Sequence, residues 1–485
     1  MLFNSIDFLL FFPLVTVVYF LLPHRVRWMW LLVTSYYFYM SWNPRYALLI
    51  ALSTLITYAS GLLLGRKRKK LWVFLSFASN LAILFFFKYF GFFLDNLSGA
   101  LALAGVAFKR PAFDVLLPVG ISFYTFQALS YTMDVYRGEV EPERNIFRYA
   151  LFVSFFPQLV AGPIERSKNL LGQMYDRHTF DPDRVRDGLL LMLWGMFEKI
   201  VVADRLAMLV DYVYENYAGL PGAAVVLATV LFAFQIYCDF GGYSHIAIGA
   251  AQVMGFRLME NFRQPYLARS VADFWRRWHI SLSTWFRDYL YIPLGGNRKG
   301  RGRKYLNTMI TFLVSGLWHG ADWSFVVWGG LNGAYQVAGE ILAPARERVC
   351  QALRIHRDRP LWAALRTVFT FCLVDFAWLF FRAPSFSAAL GMLAHAVGNF
   401  QLSALVGQLF SLGLDKANFF VALLAVAALL AADLFRERRG PLRPRLTCRP
   451  LPVRWACYLA GVLAVLIFGI YGPGYDAAAF IYFQF

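Results

Sequence analysis

Charged side chains are scarce in this sequence: Asp, Glu, Lys and Arg make up only 16% of its 485 residues. A soluble domain carries about 25% charged residues, so the scarcity argues against a soluble globular protein. Apolar residues make up 59%, and continuous apolar runs long enough to span a bilayer recur along the chain. A transmembrane barrel would alternate apolar and polar residues instead. The composition therefore predicts an all-α polytopic membrane protein, with one domain over residues 1–485.

Several familiar chemical sites are also missing. The five cysteines have no paired or metal-like spacing, so neither a disulfide framework nor a zinc site is indicated. No HExxH, CxxC pair or GxGxxG loop occurs. The segment Gly242–Ile246 resembles a nucleophile elbow, but Ile246 stands where the second glycine belongs, so we interpret it as a helix-end packing motif. We expect no metal and no permanently bound cofactor.

The net charge is +18, from 47 Lys and Arg against 29 Asp and Glu. In a soluble protein this excess would suggest nucleic-acid binding. Here the basic residues lie mostly between apolar runs, as in cytoplasmic loops, so we expect contact with membrane lipids and no nucleic acid. Placing the basic clusters 66–70 and 436–454 inside puts both termini outside. The first run lacks a charged n-region and a cleavage site, so it should remain as a membrane helix.

The predicted helical segments fall into three parts of the chain: N-terminal spans (1–140), a catalytic core (141–360) and C-terminal spans with an outward tail (361–485). Segment 152–164 is short and contains Pro157 and Pro163, which favours a broken or re-entrant element. The main apolar runs are about 6–22, 28–42, 46–65, 71–94, 115–135, 188–202, 223–237, 361–381, 417–434 and 455–471.

His319 lies near the middle of the apolar stretch Leu306–Gly333. A charged side chain at membrane depth costs about 3 kcal/mol or more, so a titratable residue there usually marks a functional site. The alternative is a neutral imidazole that joins two helices by a hydrogen bond.

A second histidine, His279, lies in the longest polar segment, residues 256–305. Aromatic and basic residues alternate around it, which is typical of amphipathic helices at the cytoplasmic interface. A neutral imidazole can take a proton from an attacking hydroxyl, whereas Trp275, Arg277 and Trp278 could simply anchor the interface. The basic loop 295–304 lacks the ending of a phosphate-binding P-loop, so we favour an ordinary cytoplasmic loop.

These residues leave two classes of function open. One is an acyl or group transferase buried in the membrane, and the other is a transporter that moves lipid-linked glycans without chemistry. Paired inverted repeats with broken helices would favour transport, and no internal repeat is visible in the sequence.

Six motifs, in chain order, resemble the membrane-bound O-acyltransferase (MBOAT) family, specifically its bacterial alginate O-acetyltransferase branch. They are LPVGISFYTF (117–126), AGPI (161–164), ENFRQPY (260–266), FWRRWHISLSTW (274–285), RDYLYIPLGGN (287–297) and GLWHG (316–320). The resemblance implies a multi-helix fold with funnels on both membrane faces that meet at a buried histidine, here His319, with His279 on the cytoplasmic side. One departure is that Gly241 and His245 replace the usual Ser and Asp.

The same resemblance implies the reaction and its partners. Acetyl-CoA would be the cytoplasmic donor, and a periplasmic acetyltransferase partner would complete O-acetylation of an exopolysaccharide outside the bacterial inner membrane. We expect the donor to dock near four residues of the polar segment, which are Trp275, Arg276, Arg277 and Trp278. The alternative within acyl transfer is transfer of D-alanine to teichoic acid.

The ending FIYFQF (480–485) resembles the C-terminal motif of these proteins and of the small partner in teichoic-acid D-alanylation. That likeness implies that Tyr482 carries the acyl group as an ester. A phenol, with a pKa of about 10, is a better leaving group than a sugar hydroxyl, so acyl-tyrosine would keep much of the thioester's activation. The alternative is that the aromatic tail only packs at the outer interface.

Overall fold

A computed structural model of the protein describes residues 1–65, 68–106, 108, 117–353, 359–471 and 480–481. These residues form helices joined by short connections, with no β-strand in the described ranges, which confirms the all-α prediction. The chain divides into two compact units. The first unit comprises Met1–Leu189 and Ala247–Met259, and the second comprises Leu190–Ile246 and the described residues of Glu260–Gln484.

The helices of the first unit come from the N-terminal part of the chain, and the last of them continues into the second unit. They are α1 (Ile6–Leu21), α2 (His24–Met40), α3 (Tyr46–Leu63), α4 (Lys69–Leu84), α5 (Phe90–Leu103), α6 (Ile121–Arg137), α7 (Ile146–Ser154), α8 (Phe156–Leu159), α9 (Ser167–Gln173) and α10 (Pro182–Met196).

The remaining helices belong to the second unit, except that the end of α12 lies in the first. They are α11 (Asp204–Asn216), α12 (Gly222–Met254), α13 (Val271–Arg277), α14 (Ile280–Phe286), α15 (Gly300–His319), α16 (Trp323–Ile341), α17 (Ala343–Ala352), α18 (Pro360–Arg382), α19 (Phe386–Gly398), α20 (Leu402–Gln408), α21 (Lys416–Arg439), α22 (Leu442–Thr447) and α23 (Leu451–Phe468). A π-helical turn, Phe197–Ala203, joins α10 to α11.

Six helical segments of the described chain are long and apolar enough to cross a membrane, and a bent pair formed by α19 and α20 could supply a seventh. Five of the six agree with the predicted runs 46–65, 71–94, 361–381, 417–434 and 455–471. The predicted break in segment 152–164 is also confirmed, because α7 ends at Ser154 and α8 begins at Phe156. The residues of that broken segment are buried, as irregular backbone in a membrane protein requires.

The sixth segment, α12, differs from its prediction. We expected a run that ended near Tyr237, followed by a helix-end motif around Gly242. The structure instead continues one helix of 33 residues through this polar stretch to Met254. Gly242 packs in mid-helix against Gly195 of α10, where a Cβ on either glycine would lie closer than 3.0 Å to the other's carbonyl oxygen. The placement at a helix end is therefore wrong, although the packing role is right.

The stretch Leu306–Gly333 is divided into two helices. Helix α15 ends at His319, Gly320 is extended, and the side chain of Asp322 caps α16 by accepting a hydrogen bond from the Ser324 N–H at 2.7 Å. Close approaches pair Gly316 with Phe325 and Gly329 with Phe312, so the contacts run in opposite order along the two helices. The stretch is therefore an antiparallel hairpin, and His319 lies at its tip.

The polar segment 256–305 is more buried than predicted. It forms the short helices α13 and α14, and Phe274, Trp275 and Trp278 are all buried in the second unit. These rings therefore pack inside the protein instead of anchoring a membrane interface.

The hairpin gives a matched pair of substitutions. In Gly329→Ala the new Cβ would lie closer than 3.0 Å to the backbone of α15, whereas in Gly330→Ala it meets only the Leu313 side chain, at 3.5 Å. We expect Gly329→Ala to lower the free energy of unfolding by about 1–3 kcal/mol and Gly330→Ala to have little effect. Thermal unfolding in detergent measures both. Equal stability of the two variants would contradict this account of the hairpin.

Candidate active site

His319 is held in one tautomer by its own helix. Its side chain is 3% exposed, and its Nδ1 lies 2.7 Å from the carbonyl oxygen of Ser315, one turn earlier in α15. A carbonyl oxygen can only accept, so Nδ1 carries the proton and donates it to this bond. In the neutral ring, Nε2 is then the atom with the lone pair, and it can act as a base.

His279 is held in the same tautomer by a different acceptor. Its side chain is fully buried, and its Nδ1 lies 3.1 Å from Oδ1 of Asn261. The backbone N–H of Ser281 also points to this oxygen, as does the Ser281 hydroxyl at 2.9 Å. Because a backbone N–H can only donate, Oδ1 is the amide oxygen and accepts from His279. The amide nitrogen of Asn261 donates to Ser244 at 3.0 Å and completes the network.

The two imidazoles lie close together. Their ring centroids are 6.3 Å apart, and the rings are nearly perpendicular at 79°. Burial and the neighbouring His319 hold the pKa of His279 well below its usual range. His279 is therefore a neutral imidazole at physiological pH, which is the form that can accept a proton.

The backbone at His279 is unusual. This residue joins α13 to α14 with φ 43° and ψ 53°, in the left-handed region that few non-glycine residues occupy. Such a conformation costs of order 1–3 kcal/mol and persists only where its surroundings fix it, which occurs most often at functional sites. In this left-handed conformation the imidazole of His279 lies within hydrogen-bonding distance of Asn261.

Aromatic rings surround the pair. Trp318, Trp328 and Phe381 approach His319 with centroid distances of 4.9, 4.8 and 5.5 Å. Phe240 of α12 meets the ring of His279 edge-on at 4.7 Å. These walls limit the motion of both imidazoles and exclude bulk water, which strengthens the electrostatic interactions between the groups inside.

A cavity of about 300 Å³ reaches the residue that orients His319. Ser315 lines one part of it, and Trp275 and Arg276 line another. The cationic side chains Arg287 and Lys304 are also on its wall. Lys304 pairs with Glu340, which also lines the cavity, and Arg287 pairs with Asp288, which does not. Together with Arg276, the wall therefore holds three cations against one carboxylate.

Of the four predicted donor-binding residues, two line this cavity and two do not. Trp275 and Arg276 line the cavity, and Trp275 donates a hydrogen bond to Oδ1 of Asn332 at 3.1 Å. Arg277 instead bonds to Asp273 and Glu437, and Trp278 stacks on Phe274 at 5.4 Å. Those two residues are not on the cavity wall. Tyr482 lies outside the described residues.

Sequence reasoning did not single out Asn261 or the buried charge cluster around Lys199. Lys199 forms ion pairs with Asp239 at 2.6 Å and with Asp204 at 2.8 Å. The signal for Lys199 was its place inside the apolar run 188–202, where a charged residue is rare and usually functional. For Asn261, the only signal was its position within the ENFRQPY motif.

His245, which replaces the usual Asp of the family motif, contacts a buried carboxylate. His245 Nδ1 lies 2.6 Å from Oε2 of Glu198, and both side chains are buried. A buried carboxylate needs a hydrogen-bonding or charged partner, and His245 supplies one here. Within the described ranges, no group of three or more His, Cys, Asp or Glu residues is placed to hold a metal ion.

Comparison with known proteins places this geometry in a family. The description "MBOAT, membrane-bound O-acyltransferase family" matches residues 143–374, which include both histidines. The chain is 38% identical to the probable alginate O-acetylase of Pseudomonas putida, over 100% of both proteins. It is 34% identical to the peptidoglycan O-acetyltransferase of Helicobacter pylori, over 76% of this chain and 73% of that protein.

A weaker similarity covers part of the chain. The teichoic acid D-alanyltransferase of Bacillus subtilis is 25% identical over 45% of this chain and 58% of that protein. The full-length similarity at 38% identity decides the family, and it agrees with the helical membrane architecture and with the family resemblance of the sequence motifs. The chain therefore belongs to the membrane-bound O-acyltransferase family and is a multi-pass membrane acyltransferase.

Proposed function

We propose that this protein transfers an acetyl group from cytoplasmic acetyl-CoA across the bacterial inner membrane for O-acetylation of an extracytoplasmic polysaccharide. The observation that carries this proposal is the pair of buried imidazoles, 6.3 Å apart, each with Nε2 as its basic atom. The full-length similarity to a probable alginate O-acetylase supports the choice of acetyl group and acceptor. The positive-inside pattern supports a topology with both termini outside.

The cavity that reaches Ser315 has a wall suited to part of a donor of this kind. Coenzyme A carries phosphates at one end and a thioester at the other. Arg276, Arg287 and Lys304 on the cavity wall would attract the phosphates. Ser315, at another part of the same wall, would bring the thioester close to His319.

The transfer needs one base. As the acceptor hydroxyl attacks the thioester carbonyl, its proton moves to Nε2 of His319, the new C–O bond forms and the C–S bond breaks. The proton then passes to the thiolate, which leaves as the free thiol of coenzyme A. The Ser315 carbonyl oxygen steadies the transient imidazolium, because the Nδ1–H bond strengthens when the ring is charged. His279 helps to position or deprotonate groups near the donor entrance.

The acceptor in the first transfer is proposed to be the phenol of Tyr482. A second transfer, with a periplasmic acetyltransferase partner, would move the acetyl group from tyrosine to polymer hydroxyls. The acyl-tyrosine intermediate keeps the acetyl group activated after it leaves coenzyme A, since a phenol leaves more readily than a sugar hydroxyl.

The alternatives have less support. D-alanyl transfer to teichoic acid rests on a similarity that covers 45% of this chain, against 100% for the probable alginate O-acetylase. Transport without acyl chemistry does not account for membership in an acyltransferase family.

Replacement of the proposed base tests the function in cells. His319→Gln should reduce O-acetylation of the host's exopolysaccharide by about 10²-fold or more, because glutamine cannot accept the proton. The matched control is His24→Gln at the start of α2, which should leave acetylation unchanged. Acetyl content is measured by NMR of purified polymer at equal membrane protein levels. Normal acetylation in His319→Gln would refute the proposal.

Asn261 is proposed as the positioning residue for His279, and its substitutions should have distinguishable effects. Asn261→Ala removes the acceptor and should slow acetyl transfer about tenfold to a hundredfold. Asn261→Asp adds a carboxylate, which stabilises the imidazolium and raises the pKa of His279. The acid limb of the pH–rate profile should therefore move to higher pH in this variant.

The pH–rate profile is measured with purified protein and labelled acetyl-CoA. Ser281→Ala is the control, because it removes another donor to Asn261 but leaves the bond from His279. An unchanged acid limb in Asn261→Asp would show that His279 does not act through Asn261.

A further inference from the structure

The two described residues of the tail are buried in the second unit. Phe480 is fully buried and Ile481 is 2% exposed. Their surroundings are side chains of α12 and of the π-helical turn Phe197–Ala203, which also lie in the second unit. These two residues therefore lie in the core of the second unit, and the alternative of an aromatic tail that only packs at the outer interface does not describe them.

The backbone of the tail forms a hydrogen bond to a buried carboxylate. The N–H of Ile481 donates to Oδ2 of Asp239 at 2.8 Å, while Oδ1 of the same carboxylate lies 2.6 Å from Lys199. A buried backbone N–H needs a partner, and Asp239 provides one that is charged, which makes the bond stronger than a neutral one.

The buried charges of Lys199, Asp204 and Asp239 further stabilise the hydrogen bond from Ile481. Lys199 is shared between Asp239 and Asp204, so one buried ammonium faces two carboxylates. A buried negative charge is costly unless it is paired and hydrogen-bonded. The N–H of Ile481 offsets part of this excess, so the buried charge cluster and the docked tail stabilise each other.

Aromatic contacts fix the neighbouring residue. The ring of Phe480 lies 4.5 Å from that of Tyr243 and 6.4 Å from that of Phe240, and Lys199 lies 5.8 Å from its centroid. Phe240 in turn contacts His279 at 4.7 Å. One aromatic ring therefore separates the docked tail from the first of the two histidines.

We propose that Asp239, oriented by Lys199, is the positioning residue that docks the C-terminal segment through Phe480 and Ile481, one aromatic ring away from His279. Tyr482, the proposed acceptor, follows these two residues in the sequence. This inference rests on the proposed function for its purpose, but the docking itself can be measured without any acyl transfer.

A cysteine reporter measures the docking. Ile481→Cys keeps the backbone N–H that bonds to Asp239, and the exposed cysteines Cys372, Cys448 and Cys457 are replaced by serine in the same chain. The purified full-length protein is treated in detergent with a maleimide, and labelling of position 481 is followed by peptide mass mapping. The docked thiol should react slowly compared with a synthetic peptide of the tail.

Two matched variants distinguish the role of Asp239 in docking the tail from its role in pairing with Lys199. Asp239→Asn and Asp204→Asn each remove one carboxylate from Lys199, but only the first changes the acceptor of the Ile481 N–H. The amide oxygen of Asn can still accept from the Ile481 N–H, but a neutral acceptor forms a weaker bond than a carboxylate, so labelling should speed about tenfold in Asp239→Asn. Asp204→Asn should remain near the parent rate. If Asp239→Asn fails to fold, Phe480→Ala, which removes the ring packed on Tyr243, should speed labelling in its place.

Equal acceleration in the two carboxylate variants, or a parent rate equal to that of the free peptide, would overturn the docking proposal. The same samples, without the cysteine reporter, are tested for acetyl transfer. If Asp239→Asn speeds labelling but the parent protein shows no acetyl transfer, the docking proposal stands and the proposed function is refuted. If the parent protein transfers acetyl normally but neither variant changes labelling, the docking proposal is refuted and the proposed function stands.

Discussion

The site depends on two hydrogen bonds from imidazole Nδ1–H groups, one to the Ser315 carbonyl and one to Asn261. Each bond fixes a tautomer, and each leaves Nε2 as the basic atom of a buried ring. A histidine without such an acceptor would divide its population between two tautomers and several orientations. Burial favours the neutral form of His279 by lowering its pKa, whereas the two acceptors determine which atom of each ring can take a proton.

Helix packing maintains these bonds. His319 is aimed by the last turn of α15, whose position depends on the glycine contacts with α16. Asn261 is tied to α12 through Ser244, and α12 lies against α10 through Gly242 and Gly195. The same helix α12 carries Asp239 and Phe240, so one element connects the tail, the buried ion pair and the wall of His279.

The sequence predicted the helical class and most of the long spans, because apolar length is a local signal. It also singled out two histidines as candidate site residues, and the structure brings their rings to within 6.3 Å of each other. It did not predict that α12 continues past Tyr237, because its polar residues are satisfied by contacts distant in sequence, such as His245 with Glu198. It placed Leu306–Gly333 in one apolar stretch, since both arms of the hairpin are apolar and the turn is marked only by Gly320 and the capping residue Asp322. The roles of Asn261 and Asp239 are set by tertiary contacts, for which a single sequence holds no periodic signal.

The most direct measurement is the intact mass of the purified protein after incubation with acetyl-CoA, in the wild type, His319→Ala and Tyr482→Phe. We expect a mass gain of one acetyl group in the wild type only, located in the C-terminal peptide. A gain that persists in Tyr482→Phe would move the acceptor to another residue. An equal gain in His319→Ala would show that this imidazole is not the base for acyl transfer.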